Sequence, residues 1–285
     1  MTPFWYDGSL FDGGDRASTG LPLDTAGLQV GLRFGASVFT TLRVYGQDLA
    51  QPMTMWEGHR DRITQSLTYF NWPHPDWSSI YRGAQQLKAY YPILRVTVFP
   101  DGRAWITGRD LPPSLSQQQA EGVTCWLAPA DYLRSFPVHK TGNYLACWQA
   151  RKQAQQRGAQ EAILTNAQGE WLETATGNLW GITQEKGKWW TPLSKQCLPG
   201  LMRNRLQALL GAEGQSVSGL PWTRAVVEGF DAIAYSNCVV GLLPIHTITD
   251  GDIKLKYNVQ NASLKALQQQ LAGLTPEQPM IPEMR

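Results

Sequence analysis

Glu161-Ala162-Ile163-Leu164-Thr165-Asn166-Ala167-Gln168-Gly169-Glu170-Trp171-Leu172-Glu173 decides the fold class. Five residues of strand character lead into Asn166-Ala167-Gln168-Gly169, a turn sequence, and Trp171-Leu172-Glu173 begins the return strand. A strand that returns after four residues pairs antiparallel, whereas a parallel neighbour needs a crossover of a dozen residues or more. Just upstream, about 143–157 reads as a helix stopped by Gly158, which suits a C′ position. Downstream, Leu198-Pro199-Gly200 leads into a helix over about 201–210, stopped by Gly211. Asp231 to Tyr235 reads as a buried strand and Val259 to Leu271 as a closing amphipathic helix. Strands and helices alternate, yet several strand pairs are joined by short turns. Mixed sheets with flanking helices, an α+β or α/β arrangement, are favoured over a doubly wound Rossmann fold.

The first part of the chain reads similarly. Residues 28–49 are strand-like, centred on Val38-Phe39-Thr40-Thr41-Leu42-Arg43-Val44-Tyr45, with a hairpin turn at Gly46-Gln47-Asp48. Helices are expected over about 56–70 and 77–90, the latter with Trp77, Ile80, Tyr81, Ala84 and Leu87 on one face. Ile93 to Phe99 is a strand, followed by the turn Asp101-Gly102 and Ala104-Trp105-Ile106. The polar, proline-led stretch after Leu111 reads as a linker over 113–122. This divides the chain into an N-terminal α+β domain, 1–112, and a C-terminal domain, 123–285.

Composition narrows the function. The 285 residues suffice for a sizeable core. Lys+Arg minus Asp+Glu is 25 − 23 = +2, which gives no electrostatic case for nucleic acid or an anionic membrane. Charged residues are 17%, against roughly 25% in globular proteins at large. The N-terminus lacks the basic start and apolar run of a signal peptide. Ala232 to Thr249 carries no charge, but Asn237 and Pro244 make it a strand and turn before a membrane span. Four cysteines and four histidines lie scattered, without ligand spacing. No metal and a reducing cytoplasmic location are the expectations. The usual glycine-rich nucleotide loops are absent.

Singly, the chemical candidates are weak. Lys140, in His139-Lys140-Thr141-Gly142-Asn143-Tyr144, reads as a solvated surface charge. Glu173 on an apolar strand fits the solvent face of a hairpin. Arg62 follows His59 on one helix face and reads as a surface arginine. Gly200-Leu201-Met202 is ordinary helix-start grammar that also offers backbone N–H groups to an anion.

Their order changes this reading. His59-x-x-Arg62, Lys140-x-x-Asn143, Glu173-x-x-x-x-Asn178-Leu179 and Leu198-Pro199-Gly200-x-x-Arg203 together resemble the fold-type IV pyridoxal-phosphate enzymes. These include the branched-chain and D-amino-acid aminotransferases and 4-amino-4-deoxychorismate lyase. The resemblance runs from about Leu28 to Ile248. It implies a two-domain, D-amino-acid-aminotransferase-like fold, with pyridoxal 5′-phosphate between the domains and a homodimer. It implies that Lys140 carries the cofactor and that Glu173 faces its pyridine nitrogen. The phosphate would rest on the amides of Leu201 and Met202 after Gly200, with Arg62 as charge partner. Asn178, Asn237 and Cys238 would complete the cofactor site. Cys238 stands where transaminases usually show a hydroxyl residue.

Within that family, Phe39-Thr40-Thr41, Asn237-Cys238-Val239-Val240-Gly241-Leu242-Leu243-Pro244 and Gly102-Arg103-Ala104-Trp105 resemble the lyase. The implied reaction releases pyruvate and 4-aminobenzoate, a folate precursor, from 4-amino-4-deoxychorismate. Thr40 or Thr41 would assist proton delivery. The small-molecule substrate has two carboxylates, for which Arg43 and Arg103 are the expected partners. The alternative is a transaminase acting on branched-chain or D-amino acids, with Lys140, Glu173 and Arg62 in the same roles. Two departures bear on substrate recognition. Ala36-Ser37 replaces a common Asp-Gly, and Pro100-Asp101 lies where many members carry Arg-Gly. Among the 12 Trp, Trp77 reads as a packing anchor, while Trp105, Trp171 and Trp180 lie beside the motifs.

Overall fold

The computed structural model describes residues 2–12, 26–183 and 188–275. Two sheets organise them. The smaller contains β1 (Phe4–Tyr6), β2 (Ser9–Phe11), β3 (Val38–Arg43), β4 (Ile93–Val98) and β5 (Ala104–Arg109), in the order β2-β1-β5-β4-β3. All its pairings are antiparallel. Helices α2 (Trp56–Tyr69) and α3 (Trp77–Leu87) cover it. Ile63 and Leu67 of α2 and Ile80, Ala84 and Leu87 of α3 meet Leu42, Leu94, Val96 and Ile106 in one core. Asp76 caps α3 by accepting the amides of Ser78 and Ser79.

The larger sheet contains β6 (Val123–Leu127), β7 (Glu161–Thr165), β8 (Trp171–Thr174), β9 (Asn178–Thr183), β10 (Trp189–Trp190), β11 (Val217–Ser218), β12 (Phe230–Asn237), β13 (Gly241–Asp250) and β14 (Ile253–Lys256). Among the described residues its order is β11-β10-β9-β12-β13-β6-β7-β8, with β14 on β13. The β7–β8 pair is antiparallel across the Asn166–Gly169 turn, while β6 pairs parallel with both β7 and β13. The sheet is therefore mixed, as the short turns imply. It also closes on itself, because Glu173 in β8 pairs back with Asn178 in β9. Helices α5 (Leu145–Gln156), α6 (Leu201–Ala212), α7 (Arg224–Glu228) and α8 (Ala262–Gly273) accompany it.

Three sequence expectations change. Residues 28–34 are not strand but part of helix α1 (Ala26–Phe34). Tertiary contacts override the local pattern. The Gly27 N–H donates to the Asp101 carboxylate, and a Cβ on Gly31 would collide with the Phe99 ring, so two glycines let the helix lie close. The turn at Gly46-Gln47-Asp48 closes through the Asp48 N–H on the Tyr45 carbonyl, but only an isolated bridge follows it. The stretch 113–122, read as a linker, carries helix α4 (Leu115–Glu121). Leu115 is its buried anchor, so no apolar periodicity was available to reveal the helix. The Trp residues beside the motifs are packing groups. Trp171 and Trp180 are fully buried, and Trp105 meets Phe4 edge to face.

Candidate active site

The sheets are joined where the candidate lysine stands. The Phe39 N–H donates to the Lys140 carbonyl at 2.8 Å and the Gly142 N–H to the Ser37 carbonyl at 2.7 Å. A side chain on Gly142 would strike the Ser37 hydroxyl, and Gly35, at φ +64°, lies so close that a Cβ would sit 3.1 Å from Asn143. Glycine is thus required where the chains touch.

Lys140 Nζ emerges 4.7 Å from the Phe39 ring centre and 3.4 Å from the Tyr144 hydroxyl, which itself donates to the Ala175 carbonyl. Burial, followed by the positive charges of Arg62 and Arg134, pushes the Lys140 ammonium down to about 7, with Glu173 partly opposing. A lysine so placed holds a substantial share of free base near neutral pH, able to attack a carbonyl and to take a proton.

Glu173 is on the interior side of β8, not on a solvent face. Its Oε1 accepts from Arg134 Nε at 2.9 Å and Nη2 at 2.7 Å, and its Oε2 accepts the Leu198 N–H at 3.0 Å. Arg134 also donates to the carbonyls of Pro137 and His139. It therefore ties the loop before Lys140 to Glu173. Nothing in the local sequence marks Arg134, since its partners lie on the distant strand and on its own loop.

An anion cradle opens beyond Glu173, at the start of α6. Asn178 Nδ2 donates to the Leu198 carbonyl at 2.8 Å and holds the turn. A Cβ on Gly200 would run into Asn178 Oδ1, so this approach also requires glycine. Leu201 and Met202 face the cavity with the helix N-terminus, and the Met202 and Cys238 amides point at the Cys238 sulfur. Asn237 Oδ1 accepts from the Val239 and Val240 amides and shapes that turn. Arg62 enters from α2 and donates through Nη2 to Thr40 Oγ1, leaving its buried Nε without a partner. Thr40 Oγ1 also lies 2.5 Å from His59 Nδ1. Burial and then the Arg62 charge hold His59 well below the usual histidine range, which favours the neutral ring beside Thr40.

These groups line one cavity of about 380 Å³. The cavity gathers Lys140, Glu173, Arg62, Asn178, Gly200, Leu201, Met202, Asn237 and Cys238, nine of the expected residues. Thr41 is on its wall, whereas Thr40 lies behind it. Strand alternation explains the split: Phe39 and Thr41 share one face of β3 and Thr40 takes the other. Arg43 is outside. It sits one pleat further along, stacks 4.6 Å from the Tyr45 ring centre and faces another cavity with Lys265 and Gln268. Arg103 is also outside, at the exposed far turn of the β4–β5 hairpin with Asp7 and Asp101. The cavity's other cations are Arg95, Arg109 and Arg151, which the sequence reading missed. Arg95 lies 3.6 Å from the Phe39 ring centre. Its position on β4 opposite Thr41 would have identified it, given the strand pairing.

The arrangement fits pyridoxal phosphate. A buried amine that deprotonates readily, a paired carboxylate behind it and a helix-start cradle with an arginine supply the aldehyde, ring-nitrogen and phosphate contacts that this cofactor needs.

Among the described residues, no helix is long and apolar enough to cross a membrane, and no group of His, Cys, Asp or Glu is arranged to hold a metal. Comparison with known proteins agrees with the fold. Residues 37–248 match the amino-transferase class IV family. The chain is 23% identical to the aminodeoxychorismate lyase of Vibrio harveyi over 90% of this chain and 95% of that protein. Its fold is similar to a hypothetical aminotransferase from Mycobacterium tuberculosis in a PLP-bound form. That match has TM-score 0.75, 20% identity and coverage of 96% of this chain and 98% of the other. The Escherichia coli branched-chain amino acid aminotransferase gives TM-score 0.73 at 18% identity, covering 96% and 94%. The protein belongs to the class IV aminotransferase family of pyridoxal-phosphate-dependent enzymes.

Proposed function

We propose that the protein is a 4-amino-4-deoxychorismate lyase that releases pyruvate and 4-aminobenzoate. The observation that carries this reading is the wall facing Lys140. It presents Thr41 and the Arg95 guanidinium, where a branched aliphatic substrate would need an apolar pocket. The similarity to the Vibrio harveyi lyase over nearly the whole chain supports it.

When bound, pyridoxal phosphate supplies an electron sink conjugated to the substrate amine. Lys140 would hold it, and Glu173, fixed by Arg134 and the Leu198 amide, would keep its ring nitrogen protonated. Arg62, the amides of Leu201 and Met202, and the Cys238 turn would hold its phosphate, with Asn178 and Asn237 maintaining the two turns. Thr40 positions Arg62 from behind. Lys140 Nζ then takes the proton from the amine-bearing ring carbon of the substrate. The ether C–O bond breaks, enolpyruvate departs, and proton delivery to it yields pyruvate. The Thr41 hydroxyl, on the cavity wall, would assist that delivery. Arg95 pairs with a substrate carboxylate in place of Arg43 and Arg103. The ring becomes aromatic, so no amino acceptor is required.

The chain would work as a homodimer in the cytoplasm, with its site completed at the subunit contact. Leu32 and Phe34 at the end of α1 and Leu145 and Trp148 at the start of α5 are all more than half exposed. Leu145 and Trp148, three residues apart, share one face of α5, and Phe34 precedes Gly35, which lies against Asn143; these exposed apolar groups would be contacts for a second copy. The assay supplies aminodeoxychorismate and follows fluorescent 4-aminobenzoate, with Lys140→Ala as the inactive control. Amino exchange between an amino acid and a keto acid, without 4-aminobenzoate, would instead establish the transaminase alternative, acting on branched-chain or D-amino acids.

A further inference from the structure

The cavity is strongly cationic for a nearly neutral chain. Its lining includes Arg62, Arg95, Arg109, Arg151 and Lys140 against one carboxylate, Glu173, which Arg134 already neutralises. Arg62 faces the anion cradle and Arg95 stands beside Phe39 and near Lys140. That leaves Arg109, at the end of β5, and Arg151, on α5. Both are exposed at the mouth of the cavity, with Ser114, just ahead of α4, and Gln118 of α4 also in its lining.

Arg109 has no carboxylate within ion-pair distance among the described residues. Arg151 reaches Glu161 only at 4.0 Å, and the Glu161 carboxylate is already occupied by the Thr176 hydroxyl and the Ala162 amide. The two guanidiniums also repel each other, since Arg151 opposes the charge on Arg109. Like charges brought together without an acid are unfavourable until an anion enters between them.

We propose that Arg109 and Arg151 form a second anion subsite at the cavity mouth, which takes the distal carboxylate of a dianionic amine substrate. This rests on reading the cavity as the substrate site. The amine goes to the Lys140 end, one carboxylate to Arg95 and the other to the mouth. A ligand with a single carboxylate leaves the Arg109–Arg151 repulsion unrelieved.

The test uses the cofactor-loaded enzyme and calorimetric titration with two probes that lack an amine and cannot react. One is 3-(1-carboxyvinyloxy)benzoate, with two carboxylates. The other is 2-phenoxyacrylate, in which the ring carboxylate, distal to the amine position, is replaced by hydrogen. The dianion is expected to bind about tenfold more tightly, the effect of a charge-assisted contact of ordinary strength. Arg109→Met and Arg151→Met should each remove most of that advantage, and the monoanion should bind unchanged to both. An equal dianion advantage in wild type and both variants would overturn the subsite, as would no preference in wild type. Both side chains are exposed, and retained cofactor absorbance verifies that each variant is folded. Preference lost in the variants, with no 4-aminobenzoate formed by wild type, would keep the subsite and remove the lyase reading. 4-Aminobenzoate formed with unchanged KM in both variants would do the reverse.

Discussion

Replacing Arg134 by methionine removes the partner of a buried charge. The side chains of Arg134 and Glu173 are only 4% and 6% exposed, and two of the three hydrogen bonds on the carboxylate come from Arg134. Breaking a buried pair from one side costs about 3–5 kcal/mol, because the remaining charge stays out of water. The freed carbonyls of Pro137 and His139 belong to partly exposed residues that water can reach, so the stranded carboxylate dominates. In a chain of this size each kcal/mol moves Tm by about 2 °C, which predicts a fall of about 6–10 °C. The measurement is thermal unfolding of the cofactor-free protein, where Glu173 has no pyridinium to face. Adding Glu173→Gln to Arg134→Met removes the stranded charge and should restore part of the loss. A Tm change under about 2 °C for Arg134→Met, or a double variant whose losses simply add, would refute the account of Arg134 as the clamp on Glu173.

Three other outcomes are expected. The cofactor-free protein should capture pyridoxal phosphate at a rate that rises with pH and levels off above about 7, measured by stopped-flow absorbance. Arg62→Gln should move that midpoint upward, because a cation that disfavours the ammonium is gone. Gly200→Ala should raise the dissociation constant for the cofactor by about tenfold, the lower end of an overpacking cost, as read by equilibrium titration. Thr41→Val should slow pyruvate release without altering cofactor affinity. Thr40→Val, which takes the hydroxyl from Arg62 and His59, should weaken cofactor binding first.

The legible parts of the sequence were those encoded locally. The hairpin from Glu161 to Glu173 gave the mixed sheet, and the Pro199-Gly200 start of α6 gave the anion cradle. The order of Arg62, Lys140, Glu173 and Asn178 pointed to residues that the structure gathers around one cavity. The misses depended on partners distant in sequence. Helix α1 follows from Asp101 and Phe99, which lie outside any window around residues 26–34. Arg134 has meaning only through Glu173. Arg43 and Arg103 flank the right motifs, but strand reach and hairpin register carry both away from the cavity. The same register brings Arg95 and Thr41 opposite each other on adjacent strands. One residue of strand alternation decides between Thr40 and Thr41, and sequence alone could not say which face of β3 met α2.

The hydrogen bonds from Phe39 and Gly142 make Lys140 a rung of the smaller sheet, while Arg134 anchors its approach loop to the larger one. The lysine is thus a shared fixture of both layers. A hinge that separated the layers would either peel Lys140 off β3 or drag its loop from Glu173. Substrate traffic through such a site therefore falls to the side chains at the mouth. The distance between the reacting amine and the carboxylate behind it becomes a property of the covalent chain and two ladders of hydrogen bonds, insulated from breathing of the fold.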